Sequence, residues 1–217
     1  TATATQADTE TPAPPTETSI PPTRTRRPTP TPLPTSTDRP EAPTPVPGNV
    51  LARDDFGSDT GAWSVGDGTD SSVEIANGSY LVTVKSTKII AWGRYKAQAY
   101  DDVSLSMQAR DLSDLPQDSQ NWPGFGLICG YSDDNNFFYA GITADGYYVV
   151  NKYKNGSLVG LSSSDAQWNP SNDVVPFQKS YALKLVCAGG DLAFYVDGKL
   201  LAQFSDADLG KGQLGVF

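Results

Sequence analysis

The sequence predicts an all-β fold from Asn49 onward, with two antiparallel sheets packed face to face as a sandwich. Three observations predict it. The dipeptides Asn77-Gly78, Asp145-Gly146, Asn155-Gly156 and Asp197-Gly198 are hairpin signals, because a two-residue type I′ turn needs residues that tolerate positive φ. Between these turns, short stretches rich in Val, Ile, Tyr and Phe alternate with polar residues, and no helical period lasts more than a few residues. Strands that each bury one face are satisfied by stacking two layers.

The elements follow in chain order. Around Asn77-Gly78, Val73 pairs with Val82 and Ile75 with Tyr80 on one face, leaving Glu74, Leu81 and Thr83 on the other. Val103, Leu105, Met107 and Ala109 alternate with polar residues. In the stretch 124–131, Phe125, Leu127, Cys129 and Tyr131 share a face, and Gly124, Gly126, Ile128 and Gly130 occupy the other. A two-residue loop at Asp145-Gly146 pairs Ile142 with Val149, Ala140 with Asn151 and Phe138 with Tyr153. Tyr139, Thr143, Tyr148 and Lys152 then point together to the wet side. Tyr181, Leu183, Leu185 and Cys187 form the next apolar stripe.

Residues 1–48 read differently. They are dominated by Thr, Pro and Ala, with Ile20, Leu33 and Val46 isolated, so they cannot bury enough apolar surface to offset the entropy of ordering. The segment reads as a disordered, polyproline-like linker reaching about 3 Å per residue where prolines cluster. The chain has net charge −9 and no histidine. Arg24, Arg26 and Arg27 are offset by Asp8, Glu10, Glu17, Asp38 and Glu41, so the acidic excess falls on the folded part and disfavours a nucleic-acid partner. No apolar run approaches the roughly 20 residues of a membrane span. The chain opens at Thr1 without methionine, so an export signal, lipid anchor or membrane helix is expected upstream.

Asp54-Asp55-Phe56, Gly61-Ala62-Trp63, Ala76 to Tyr80, Gly124 to Cys129, Asp134 to Tyr139, Asp145 to Tyr148, and Leu185-Val186-Cys187 leading to Phe194 through Gly198 resemble concanavalin A-like (laminin G-like) jelly-roll domains of secreted or surface-anchored bacterial proteins. The resemblance spans residues 49–217. It implies a jelly-roll sandwich on a Thr/Pro-rich stalk, as in lipoproteins and the outer parts of receptor kinases. Such domains continue past Gly212 to Phe217 into a final strand that pairs with an early one, so a missing last strand, an unpaired edge and an exposed part of the core are expected. The fold hosts lectins, glucanases, adhesion modules and sensors, so it leaves activity open.

Cys129 and Cys187 lie on apolar strand faces in an oxidising compartment, which favours a disulfide; two buried thiols packing as small hydrophobes are the alternative. Zinc is excluded in practice by two thiols and no histidine. Glycosidases need two carboxyl groups roughly 5 to 9.5 Å apart. Glu74 is the last glutamate of the chain and lacks companions, and the pairs Asp101-Asp102 and Asp133-Asp134 read as turn residues, so no catalytic residue is expected. Asp54, Asp55, Asp133, Asp134 and Asn136 are oxygen donors for a structural calcium ion, although their spacing suits turns better.

A binding surface is the better expectation. Tyr139, Tyr148, Thr143 and Lys152 form an outward aromatic platform, beside open space over the glycine-bearing face of 124–130. Sugar rings present an apolar C–H face with hydroxyls at the edge, which such a platform fits. Tyrosines also suit any half-exposed strand, so each position has a plain structural alternative. Trp92 and Trp122 lie in loop contexts and join the ligand-binding set of Trp92, Trp122, Tyr139, Tyr148 and Lys152, while Trp63 and Trp168 are assigned to packing. The expectation is a non-catalytic, extracellular or cell-surface module for a polysaccharide or glycoconjugate, with a protein-binding adhesion or sensor domain second and a glycoside hydrolase third.

Overall fold

The computed structural model describes residues 50–217. The Thr/Pro-rich linker at 1–48 lies outside the described residues. In chain order the strands are β1 (Gly66–Asp67), β2 (Ser71–Ala76), β3 (Ser79–Val84), β4 (Gly93–Tyr100), β5 (Val103–Ala109), β6 (Gly124–Asp133), β7 (Asn136–Thr143), β8 (Tyr147–Lys154), β9 (Ser157–Gly160), β10 (Asn169–Pro170), β11 (Tyr181–Ala188), β12 (Asp191–Val196), β13 (Lys199–Ser205) and β14 (Gly212–Val216). They form a seven-stranded sheet in the order β10-β8-β7-β6-β14-β4, with β9 also on β8, a four-stranded sheet β13-β12-β11-β5, and a small sheet β1-β2-β3. Every pairing is antiparallel.

The core lies between the two larger sheets. Leu127, Cys129, Phe138, Ala140, Ile142 and Val150 from the seven-stranded sheet meet Leu183, Leu185, Cys187, Phe194, Val196 and Ala202 from the four-stranded one. Those of β6, β7 and β11 are the alternate residues that the apolar pattern assigns to the interior, and truncating any large one costs about 2–5 kcal/mol. Cys129 on β6 and Cys187 on β11 form a disulfide that ties the sheets together, which selects the bridged alternative. A disulfide is consistent with an extracytoplasmic location.

Three hairpins turn as the sequence predicts. Asn77, Asn155 and Asp197 take φ of 53°, 51° and 48°, each followed by a glycine in the same region. Val73 faces Val82 and Ile75 faces Tyr80 across the first of them.

The fourth hairpin differs, and the difference moves every side chain on it. Its loop has three residues, Ala144, Asp145 and Gly146: the Gly146 N–H donates to the Thr143 carbonyl (3.2 Å) and the Tyr147 N–H to Thr143 Oγ1 (3.2 Å), with Gly146 at φ 102°. The pairs are therefore Ile142 with Tyr148, Ala140 with Val150, Phe138 with Lys152 and Phe137 with Tyr153. A slip of one residue exchanges the faces of a strand relative to its neighbour. Tyr148 and Lys152 consequently share the inner face with Phe138, Ala140 and Ile142, while Tyr139 points to the opposite, outer face. The common outward platform of Tyr139, Thr143, Tyr148 and Lys152 does not form.

A second change of parity occurs on β6. Gly130 adopts φ 60° and the β6–β7 register shifts after Cys129, so Tyr131 leaves the face of Phe125, Leu127 and Cys129 and joins Ile128 on the outer side. The last residues form β14, hydrogen-bonded between β6 and β4, and Phe217 exchanges two further backbone hydrogen bonds with Gly126 (3.0 and 3.1 Å). β3 and β5 each have one strand neighbour, and Val82, Val84, Leu105 and Met107 line an open cleft between them.

Candidate functional site

The outer face of the seven-stranded sheet carries a second apolar cluster, distinct from the core. Ile128, Tyr131, Phe137, Tyr139 and Val149 are buried in it, and Ile90, Trp92, Tyr153 and Phe217 pack against them half-buried. The period-2 alternation puts these residues on one side: Phe137 and Tyr139 from β7, Val149, Asn151 and Tyr153 from β8, Ile128 from β6. The rings run on continuously. Trp92 lies 5.3 Å from Phe137, Phe137 stacks on Tyr153 at 4.9 Å and on Tyr131 at 5.7 Å, and Tyr139 meets Phe217 edge-on at 5.2 Å.

Glycines make room for two of the rings. A Cβ at Gly141 would sit 2.5 Å from Phe217 Cζ, and one at Gly124 would fall 2.3 Å from two ring carbons of Trp168. The space over the glycine-bearing face is therefore filled by Phe217 and Trp168, not open. Trp168, expected to serve packing alone, packs on Gly124 and remains 36% exposed.

Two loops wall the face. Residues 85–92 bring Ile89 and Ile90 to one side, and residues 158–168 bring Leu158, Ala166 and Trp168 to the other, above a floor of Tyr139, Tyr153 and Phe217. The resulting groove is continuous with the cleft between β3 and β5, 2540 Å³ in all. Each wall holds a non-glycine residue in the left-handed region, Lys88 at φ 63° and Ala166 at φ 58°. Such strain persists only where the surroundings over-determine it.

Polar groups punctuate the face. The Arg94 guanidinium lies 4.7 Å from the Tyr131 ring centroid, and its Nη1 donates to Gln213 Oε1 (3.2 Å). The Tyr131 hydroxyl donates to Asp134; burial first, and that hydrogen bond second, push its pKa up to about 12 against the opposing pull of Arg94. Asn151 Nδ2 donates to the Tyr139 hydroxyl (2.9 Å) and to the Ala166 carbonyl (3.2 Å), which pins the 158–168 wall to the floor. Burial raises the Tyr139 pKa, with the Asn151 hydrogen bond acting in the opposite direction. Asn151 Oδ1 is buried and has no partner among the described residues.

The sequence-selected residues separate. Trp92 reaches the outer face, half-exposed beside Phe137. Tyr139 reaches it too, but at 7% exposure it is floor and not a contact surface. Tyr148 packs against the inner core. Lys152 is only 8% exposed, and its Nζ is held by Asp206 and Asp208, both at 2.6 Å, with Lys154 completing the cluster on Asp208 at 2.7 Å. Burial works against its charge, but the two carboxylates outweigh burial and its pKa is raised. Trp122 is half-buried against Phe177 at 5.2 Å, outside the outer cluster. Trp63 is buried among Phe56, Tyr80 and Tyr95, as its packing assignment requires.

The oxygen donors serve turns. Asp54 and Asp55 accept from the N–H groups of Phe56 and Gly57, and Asp133 from Asn135 N–H and Asn136 Nδ2. Among the described residues no group of three or more metal-binding side chains gathers. Glu74 is exposed on β2 and faces Leu81, not a second carboxylate.

Sequence reasoning missed Phe137, Tyr153, Phe217, Arg94 and Gln213. A three-residue reading of the Asp145-Gly146 loop would have placed Phe137 and Tyr153 beside Tyr139. Nothing local marks Phe217, whose position follows from β14 entering the sheet interior.

No protein-family model and no curated protein matches this sequence. Among solved structures, the chain is similar to the carbohydrate-binding module CBM66 from Bacillus subtilis, at 15% identity over 71% of this chain and 86% of that one, TM-score 0.47. It is similar to sheep galectin-11 in complex with glycerol at 22% identity over 54% and 86%, TM-score 0.39. It is also similar to the β-glucanase of Bacillus licheniformis at 13% identity over 76% and 83%, TM-score 0.42. The chain is an all-β antiparallel sandwich.

Proposed function

We propose that this chain is a non-catalytic module of the extracellular or cell-surface space that binds a polysaccharide or glycoconjugate, displayed on its Thr/Pro-rich stalk. The carrying observation is the aromatic row on the outer sheet face, with Trp92, Tyr153, Phe217 and Trp168 partly open to solvent. Stacked strands normally bury one face and hydrate the other, so an aromatic outer face has a use beyond folding. Ring faces take up the C–H side of a sugar, and edge hydroxyls reach Gln213 and the groove-wall backbone. The exposed Glu74, without a carboxylate across from it, supports binding without hydrolysis.

A glycan array probed with the full chain, followed by titration of the best ligand, tests this. Trp92→Ala and Trp168→Ala are each expected to weaken binding by roughly tenfold. Reducing ends should not accumulate on incubation with the bound polysaccharide. Retained affinity in both variants, or an array without a ligand, overturns the proposal, and release of reducing ends overturns its non-catalytic part.

A further inference from the structure

We infer that the outer-face site is selective for acidic glycans, with Arg94 pairing to a sugar carboxylate beside the Trp92 ring; the inference rests on the carbohydrate-binding reading above. Trp92 immediately precedes β4 and Arg94 is the second residue of that strand, and both reach the outer face: Trp92 packs on its apolar cluster, and the Arg94 guanidinium lies 4.7 Å from the ring centroid of Tyr131 in the same cluster. Among the described residues no carboxylate lies within ion-pair distance of Arg94. Among the same residues its one side-chain hydrogen bond goes to the neutral Gln213, and its Cζ lies 4.7 Å from the Tyr131 ring centroid. A half-buried guanidinium normally finds an anion, and Lys152, the other buried cation of this sheet, has two. The stack on Tyr131 and the bond to Gln213 fix the guanidinium while leaving donors for a planar, two-oxygen partner.

The local charge agrees. The whole chain carries −9, yet residues 85–96 hold Lys85, Lys88, Arg94 and Lys96 and no acidic residue. This stretch includes the loop whose Ile90 and Trp92 pack on the outer face. Lys85 is paired with Asp67, whereas Lys88 and Lys96 are exposed and, among the described residues, have no ion-pair partner. Asp134, which accepts from the Tyr131 hydroxyl, is an acidic group at this site, and at physiological salt the screening length is about 8 Å, so a ligand on this face meets the basic stretch and Asp134 more strongly than the rest of the acidic excess.

The test uses the full chain and matched probes: polygalacturonate, alginate and hyaluronan, each against its carboxyl-methylated ester, titrated calorimetrically. At least one acid form is expected to bind roughly tenfold or more tightly than its ester, with the preference shrinking as salt is raised. Arg94→Gln should bring that ratio to about one, and Arg94→Lys should keep part of it. Lys199→Gln, which removes the same charge from an exposed pair with Asp173 on the other sheet, should leave the ratio alone. Equal binding of acid and ester by the native chain, binding of neutral array glycans with no response to any acid form, or an unchanged ratio in Arg94→Gln overturns the acidic preference and leaves carbohydrate binding standing. Absence of binding to every probe and every array glycan overturns both.

Discussion

Gly141 and Phe217 occupy one site between them: the ring lies where a side chain at 141 would begin, with the would-be Cβ 2.5 Å from Phe217 Cζ. The same Cβ would stand 2.6 Å from the Phe125 carbonyl oxygen, so backbone on one side and ring on the other leave it no room. The aromatic floor of the groove therefore depends on the absence of a single methyl group on β7.

Gly141→Ala is accordingly expected to destabilise the fold by about 1–3 kcal/mol, the range for overpacking a close-packed site. It should also displace the Phe217 ring, the part that bears on the groove. Thermal melts and the ring-proton chemical shifts of Phe217 check both. A melting temperature unchanged from the native chain would show that the ring is not seated there.

The Cys129–Cys187 bridge spans 58 residues and joins β6 to β11. Closing a loop of that length in the unfolded chain contributes about 4 kcal/mol. The double variant Cys129→Ala with Cys187→Ala should show a correspondingly lower denaturant midpoint, since among the described residues no other side-chain cross-link joins the two larger sheets. Two reactive thiols in the denatured, unreduced protein would contradict the bridge itself.

The Lys152 cluster makes stability depend on pH at both ends. Hydrogen bonds from Lys152 and then Lys154 hold the Asp208 carboxyl at about 2, below the ordinary value of about 3.9. As pH falls below about 4, the unfolded chain takes up this proton before the folded one does. The contribution of Asp208 is thus complete above that pH and is lost on descent to about 2. Lys152 has the opposite sign: its raised pKa means that its contribution is complete below the ordinary lysine value and disappears as pH rises through the folded value. Lys152→Met should cost roughly 2 kcal/mol at pH 6, between the exposed and fully buried limits for an ion pair. Urea melts should show that deficit shrinking as pH is lowered from 4 to 2. A deficit constant across that range would mean that Lys152 acts through packing alone.

How much of this could be read along the chain follows from the range over which each feature is decided. The turns at Asn77, Asn155 and Asp197 are local, since the conformational tolerance of two residues sets them, and they formed as read. The inward stripes on β5 and β11 needed only alternation. The disulfide followed from two cysteines on apolar faces and an inferred compartment, and the sandwich from the number of half-apolar strands.

The site needed more. Its faces hang on parity, which one residue inverts: the third loop residue before Tyr147 sent Tyr148 and Lys152 inward, and the bulge at Gly130 sent Tyr131 outward. Both glycines are visible in the sequence, but whether a glycine closes a two-residue turn, closes a three-residue one or kinks a strand is settled by which register buries more apolar surface. The rings over Gly124 and Gly141 come from residues 44 and 76 positions further along, brought back by strand pairing. Composition and alternation therefore determined that this chain would be a β sandwich with aromatic strands. Only the tertiary structure, through register and long-range return of the chain, decided which aromatic residues meet and which of them still face water.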